Sequence, residues 1–313
     1  MKALIIGAAG FVGKHLATHL IDVGWKVAVT KLPSEAMSMD LPMYELDILD
    51  STAIGKLLGK TKPNFIFHLA AQSSVPISWD KPALTIDVNI KGTVNLLEAV
   101  RNLETNPRIL LIGSGEEYGY VLPEDVPIKE NTPLRPGNVY AATKITQGLL
   151  GQIYARAYGL DVVIVRAFNH AGPGQSDIFV LSNFCKQVAM IEAGQVDPII
   201  KVGNLEAKRD FTDVRDVVKA YKLLIEKGKS GIIYNVGTGK AVSIRALLDK
   251  ILSLSNASIE VELDANRMRP SDTPIIEPDI TLITQQTGWK PEISIETTLL
   301  DILNDWRDKY YIS

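Results

Sequence analysis

Tyr140 and Lys144 stand four residues apart in Tyr140-Ala-Ala-Thr-Lys144, at the start of a stretch that reads as a helix. On a helix that spacing brings both side chains to one face. A phenol ionises near pH 10 in water. A neighbouring ammonium stabilises the phenolate, so the spacing predicts a phenol made acidic enough for proton transfer near neutral pH. A Tyr and a Lys one turn apart are common on helix surfaces, and the pair gains meaning from its company. Ser114 ends an apolar strand upstream, and a glycine-rich turn lies near the N-terminus.

That turn is Gly7-Ala-Ala-Gly10-Phe11-Val12-Gly13, placed between a short apolar run and an amphipathic stretch. The spacing is one variant of the dinucleotide fingerprint. The first glycine makes the tight turn, the second lets backbone approach a pyrophosphate, and the third permits close helix–strand packing. The helix N-terminus that follows faces the anion. An NAD-specific site places Asp or Glu about 20 residues further on, at the end of the second strand. Here that strand ends Ala28-Val29-Thr30-Lys31, with a cation and no carboxylate. Lys31 predicts a preference for the 2′-phosphate of NADP(H), with NAD(H) as the second choice. Asp47 and Ile48, after the next short strand, are placed to contact adenine, and Lys144 to hold the nicotinamide ribose.

The elements that must position these groups follow an α/β pattern. Apolar runs at 3–6, 27–30, 65–69, 109–112 and 162–165 read as buried strands, and amphipathic stretches near 11–23, 50–60, 83–104 and 140–158 as helices between them. Such alternation predicts a Rossmann-type, doubly wound parallel sheet with right-handed crossovers. Beyond residue 168 the pattern loosens, with helices near 180–194, 213–227 and 243–254 and strands near 199–202, 232–236 and 259–263. Ile295, Leu299, Ile302 and Trp306 mark a closing helix. The expected organisation is a nucleotide-binding domain of 1–168 plus 209–237, and a smaller, interrupted α/β substrate lobe of 169–208 plus 238–313.

Composition narrows the class. The 313 residues carry 33 Lys and Arg against 36 Asp and Glu, a formal net charge of -3. A chain so near neutrality has no global field for nucleic acid or an anionic membrane. No run reaches the roughly 18 apolar residues of a membrane span, and the first residues do not form a secretory signal. One cysteine, Cys185, leaves no internal disulfide and points to a reducing, cytoplasmic setting. His15 and His19 lack an accompanying carboxylate motif, so no metal is expected.

Together, Gly7…Gly10…Gly13, His68-Leu69-Ala70-Ala71, Asn89 in Val88-Asn89-Ile-Lys-Gly92-Thr93, Ser114 and Tyr140…Lys144 resemble the extended branch of the short-chain dehydrogenase/reductase superfamily, over essentially the whole chain. The resemblance implies that Ser114 binds the substrate oxygen, Tyr140 is the acid/base, Lys144 tunes it and Asn89 supports the proton relay. It places Leu69, Ala70 and Ala71 along the cofactor and a nucleotide sugar in the second lobe. Phe168-Asn169-His170-Ala-Gly172-Pro173-Gly174-Gln175 resembles the GDP-mannose group, with Asn169 on the diphosphate. Arg209 and Arg269, the latter in Arg269-Pro270-Ser271-Asp272, would clamp it by their guanidinium forks. Val180, Asn183, Lys201, Asn204 and Asp272 complete the expected substrate contacts. Helices near 83–104 and 140–158 are the implied homodimer surface.

Within that group the resemblance leaves a choice. Glu116, in Gly113-Ser114-Gly115-Glu116-Glu117-Tyr118-Gly119, stands where a 4,6-dehydratase keeps the carboxylate that moves the C5 proton. Against that, Ser114 replaces the dehydratase threonine, and the loop after Lys31 is short, leaving the adenosine side open as an exchanging cofactor requires. The expectation is therefore a reductase that delivers hydride from NAD(P)H to the C4 ketone of GDP-4-keto-6-deoxy-D-mannose, giving GDP-6-deoxy-D-mannose (GDP-D-rhamnose), with residual elimination through Glu116. The alternatives are a GDP-mannose 4,6-dehydratase, a nucleotide-sugar 4-epimerase and a non-catalytic dinucleotide sensor.

Overall fold

The strands that carry the glycine turn and Ser114 form in the order their apolar runs predict. The computed structural model describes residues 1–264 and 273–311. Strands β1 (Lys2–Ile6), β2 (Lys26–Lys31), β3 (Met43–Glu45), β4 (Phe65–His68), β5 (Arg108–Ser114) and β6 (Val162–Ala167) belong to one sheet. Helices α1 (Phe11–Asp22), α2 (Ser51–Thr61), α3 (Val75–Asp80), α4 (Pro82–Ile86), α5 (Gly92–Arg101) and α6 (Val139–Tyr158) connect them. The second half holds β7 (Asn169–Ala171), α7 (Val180–Glu192), β8 (Ile199–Val202), β9 (Lys208–Asp213), α8 (Val214–Lys227) and β10 (Ile233–Val236). It ends with β11 (Ala241–Ser243), α9 (Ile244–Ser253), β12 (Glu260–Leu263), β13 (Ile275–Ile276), α10 (Thr281–Thr287) and α11 (Ile295–Tyr311).

The large sheet runs β10-β6-β5-β4-β1-β2-β3, and every pairing in it is parallel. The order reverses at β1, so a crevice opens at the carboxyl ends of β1 and β4, where this class of sheet binds ligands. Although the strands read as unbroken apolar runs, alternate residues feed opposite cores. Ile5, Val29, Phe67, Leu110 and Val165 pack with Leu16 and Leu20 of α1 and Val217, Tyr221 and Leu224 of α8. Leu4, Ile6, Ile66, Ile109, Leu111 and Ile164 pack with Leu58 of α2, Leu96 and Leu97 of α5 and Tyr154 of α6. Each fully buried aliphatic side chain contributes about 1.5–3 kcal/mol of transfer free energy, so both faces hold the crevice rigid.

A separate core gathers Leu181, Phe184 and Val188 of α7, Leu247 of α9 and Leu299 and Leu303 of α11. Around it lie a small sheet of β7, β9, β11 and β13 and the pair β8–β12. Ile283 and Trp289, from the stretch expected in the substrate lobe, pack instead in the first core, with the Trp289 indole donating to Asp216 O at 3.0 Å. The stretch read as one helix near 83–104 is interrupted. Between α4 and α5 the chain widens into a π turn, Asp87–Lys91, which contains Asn89. Such turns commonly mark functional positions in helices. No helix among the described residues is long and apolar enough to cross a membrane.

Candidate active site

The glycine turn has the shape its spacing predicts. Gly7 takes φ +85°, and a Cβ there would lie 2.6 Å from the Ala70 backbone. A Cβ on Gly13 would lie 2.5 Å from Ala8 O. At Gly10 the added carbon would meet only Gly7 O, at 3.9 Å, so this position stays open for a close-lying pyrophosphate. Gly10 caps α1 without any side-chain hydrogen bond, leaving the first-turn N–H groups, from Phe11 and Val12 onward, to an anion. Leu69 N and Ala70 N both donate to Ile6 O, which lays Leu69, Ala70 and Ala71 beside the turn. These residues fit a dinucleotide.

The adenosine end departs from expectation in two details. Lys31 pairs in register with Glu45 at the end of β3, and its Nζ lies 3.5 Å from Glu45 Oε1, so a carboxylate does stand nearby, one strand over. Asp47 is exposed, its Oδ1 accepting from Leu49 N at 2.9 Å. The Ile48 side chain is buried under α5, close enough that a Cβ on Gly92 would come within 2.7 Å of it. The Ile48 side chain therefore belongs to the core, and its carbonyl accepts from Asn95 Nδ2 at 3.1 Å. If Lys31 holds a 2′-phosphate, Lys31→Ala will raise the KM for NADPH about 10–100-fold, the worth of one charge-assisted hydrogen bond, and leave the KM for NADH nearly unchanged. Steady-state kinetics with both cofactors checks this.

Ser114, Tyr140 and Lys144 come together at the end of β5. Ser114 lies beside Ala167 of β6, its Oγ accepts from Glu116 N at 3.2 Å, and its hydroxyl acts on the Tyr140 phenol to favour the ionised form. Asn138 caps α6 by accepting from Ala141 N at 2.8 Å, which orients the first turn that carries Tyr140. The same Asn138 amide donates to Glu116 Oε2 at 3.3 Å, and Glu116 is exposed. The carboxylate next to it does the opposite. Glu117 is buried, its Oε1 accepting from Ser114 N at 2.8 Å and its Oε2 from Arg166 Nε at 2.7 Å. Arg166 also donates to the Tyr118 hydroxyl, which donates to Asn235 Oδ1 at 2.7 Å. Two adjacent glutamates thus split roles, one facing solvent and one anchoring the serine.

The ammonium does not act on the phenol as the spacing predicts. Burial pushes the Tyr140 phenol well above its ordinary range, the nearby Ser114 hydroxyl offsets part of that, and the Glu117 and Glu116 charges add to the rise. Lys144 Nζ sits 6.0 Å from the tyrosine ring centroid and donates instead to Ile112 O at 2.8 Å and to Gln147 Oε1 at 3.0 Å. Burial lowers Lys144 to about 8, against a smaller upward pull from Glu117. A phenol kept protonated is the form that can give a proton to an oxygen gaining negative charge.

Asn89 is fully buried. Its Oδ1 accepts from Gln72 N at 2.8 Å, and its Nδ2 donates to Gln72 O at 3.1 Å and to Thr143 Oγ1 at 2.9 Å. Thr143 donates to Tyr140 O at 2.7 Å, so Asn89 braces the first turn of α6 from the π turn. Thr143, Gln147, Glu117 and Arg166 were not singled out by sequence. The helical spacing of Thr143 and Gln147 from Tyr140 and Lys144 was the only available signal, and Glu117 gave none.

The second lobe contributes a face of the small sheet. Asn169 on β7 is exposed and stands opposite Phe211 on β9, and Arg209 lies two residues before Phe211 on that strand. Alternation puts the three on one face. Arg209 donates to Lys208 O and to Thr273 O, at 2.9 and 2.8 Å. Val180 opens α7, Asn183 donates to Asp177 O at 3.0 Å, and Asn204 Oδ1 accepts from Glu206 N at 2.9 Å. The backbone N–H of Lys201 donates to Gln187 Oε1 at 3.1 Å. Arg269 and Asp272 lie outside the described residues. The two lobes meet where His15 of α1 donates from Nε2 to Pro173 O at 3.0 Å.

Residues 4–302 match the family model described as GDP-mannose 4,6 dehydratase. The chain belongs to that family. Among family relatives, the GDP-6-deoxy-D-mannose reductase of Pseudomonas aeruginosa is 33% identical over 308 residues, covering 98% of each chain. The human GDP-mannose 4,6 dehydratase is 27% identical over 339 aligned positions, covering 96% of this chain and 90% of that one. The structure of RMD from Pseudomonas aeruginosa complexed with NADPH superimposes with a TM-score of 0.89 at 33% identity, over 99% of this chain and 100% of that chain. The UDP-glucose 4-epimerase of Thermotoga maritima with UDP-glucose gives 0.88 at 28% identity, over 99% of both.

Proposed function

We propose that this protein is an NADPH-dependent reductase that converts the C4 ketone of GDP-4-keto-6-deoxy-D-mannose to the alcohol of GDP-6-deoxy-D-mannose. The observation that carries the reading is the end-to-end similarity to the Pseudomonas reductase. The 339-position alignment with the human dehydratase is longer than this whole chain, so that dehydratase carries insertions absent here. The glycine turn, open at Gly10, holds the cofactor pyrophosphate, and Lys31 meets its 2′-phosphate. NADPH, when bound, supplies the hydride to the carbonyl carbon.

The protein's own groups serve the oxygen. Ser114 hydrogen-bonds the ketone oxygen and fixes the carbonyl against Tyr140. As the oxygen gains charge, the neutral phenol gives up its proton, and the O–H of the product alcohol is formed. Lys144 then faces a phenolate, and the proton lost is regained from water. Asn169 and Arg209 hold the diphosphate, with Val180, Asn183, Lys201 and Asn204 further along the nucleotide. Arg269 and Asp272 are assigned to the same subsite by sequence. The reading includes a homodimer. Exposed Leu84 and Ile86 around α4 and exposed Leu149 and Ile153 on α6 support pairing through these helices. It also places the protein in the cytoplasm, which the single, buried thiol of Cys185 supports.

The test offers GDP-4-keto-6-deoxy-D-mannose and GDP-mannose in separate reactions. NADPH consumption with the keto sugar alone is expected. Conversion of GDP-mannose to a keto sugar without net cofactor consumption would favour the dehydratase. Glu116→Gln bears on the same choice. Because Glu116 faces solvent, and Gln keeps the acceptor for the Asn138 amide while removing a charge that raises the phenol, the variant is expected to reduce the keto sugar within about threefold of the wild-type rate, far less than the roughly 10²-fold floor for losing a general acid or base. If the wild type shows elimination from GDP-mannose, Glu116→Gln should abolish it.

A further inference from the structure

Lys144 and Gln147 are both buried on the inner face of α6, with 4% and 1% of their surface exposed. The ammonium donates to Gln147 Oε1 at 3.0 Å and to Ile112 O at 2.8 Å, and Gln147 Nε2 donates to the same Ile112 carbonyl at 3.2 Å. The three groups close a triangle, anchored on the backbone of β5 two residues before Ser114. A lysine ammonium has three donors and a four-carbon stem free to rotate. The triangle uses two donors on fixed acceptors and leaves one for the ribose or the phenol.

We propose that Gln147 is the positioning residue of the catalytic ammonium, locking Lys144 Nζ against β5 and, as a neutral amide, setting how firmly the lysine keeps its proton. The inference rests on the role of Lys144 in the proposed reduction. The ionisable groups that face Lys144 are Glu117, paired with Arg166, from the turn after β5, His68 from β4 and Tyr140 on its own helix. Burial holds His68 down to about 3, and it stays neutral across the working range. Its Nε2 lies 3.1 Å from Thr93 Oγ1, which itself donates to Asn89 O, so the imidazole proton sits on Nε2. Glu117 is committed to Arg166 and the Ser114 amide. Lys144, lowered to about 8 by burial, therefore has Gln147 as its adjustable neighbour.

Two substitutions separate position from charge. Gln147→Leu keeps the volume and accepts nothing, and Gln147→Glu keeps an acceptor at the same reach and adds a negative charge. An acceptor or an anion beside an ammonium favours its charged form. The alkaline limb of the kcat–pH profile is expected to move down by about one unit in Gln147→Leu and up by about one unit in Gln147→Glu, relative to wild type. At neutral pH Gln147→Leu should lose about tenfold in kcat with KM for the sugar unchanged, and Gln147→Glu should recover most of it. The titration of Lys144 itself, followed by nitrogen-15 magnetic resonance on lysine-labelled protein and assigned with Lys144→Arg, should move in the same two directions without turnover. Coincident limbs and coincident titrations in folded variants would overturn the proposal. If Gln147→Leu fails to fold, Gln147→Glu against wild type decides by itself. A wild-type chain that reduces no keto sugar defeats the proposed activity, whereas the lysine titration still decides the part played by Gln147.

Discussion

Tyr140→Phe is expected to lower kcat for keto-sugar reduction by roughly 10²–10⁴-fold, the usual worth of a positioned general acid. The substitution removes one hydroxyl from a ring that stays packed, so cofactor affinity and the unfolding transition should change little. The phenol is buried near Ser114, and no side-chain donor among the described residues hydrogen-bonds that hydroxyl. Water would have to replace it. The effect should fall on kcat and kcat/KM together, because the proton transfer is made only in the transition state. Single-turnover kinetics checks the size, and a loss below about tenfold would mean that the proton comes from elsewhere.

Arg166→Met should produce the largest loss of stability. The arginine is 5% exposed and neutralises Glu117, which is 1% exposed. Removing one partner of a buried pair leaves an uncompensated charge and typically costs about 3–5 kcal/mol. The damage reaches function as well, because Glu117 is the acceptor for Ser114 N, and Arg166 also reaches Tyr118 and the Glu130 carbonyl. The double variant Arg166→Met/Glu117→Leu removes both charges and should recover most of the stability, since apolar replacement of a buried pair is often neutral. It should not recover full activity, because Ser114 N loses its acceptor. Urea denaturation of the two variants gives the first comparison and kcat the second. Equal stability of single and double variants would refute the pairing argument.

The parts of the site that sequence made legible are those set by local geometry. Gly7, Gly10 and Gly13 answer to a turn that only their spacing allows, and the Tyr140–Lys144 face follows from helix periodicity. The parallel sheet follows from strands that are apolar throughout. What escaped is what depends on which atom wins a buried proton. Lys144 was expected to act on Tyr140, yet a backbone carbonyl and the Gln147 amide lie closer to its ammonium. Glu116 and Glu117 are indistinguishable as letters. Only the tight turn after β5 decides that one faces Asn138 and the other Arg166. Ile48 sits at the expected position in the chain but turns its side chain into the core, because Gly92 leaves room for it there. The π turn at Asn89 likewise carries no sequence mark beyond an unbroken helical pattern.

In the proposed reaction hydride goes to C4 of the sugar while Tyr140 protonates the oxygen on that carbon. The most direct measurement uses NADPH carrying deuterium at the transferable position of the nicotinamide, with GDP-4-keto-6-deoxy-D-mannose as acceptor. Magnetic resonance of the purified product should show one deuterium, on C4, with the ring configuration of GDP-6-deoxy-D-mannose and one NADPH consumed per sugar reduced. Deuterium at C6, or a product that forms without consuming NADPH, would contradict it.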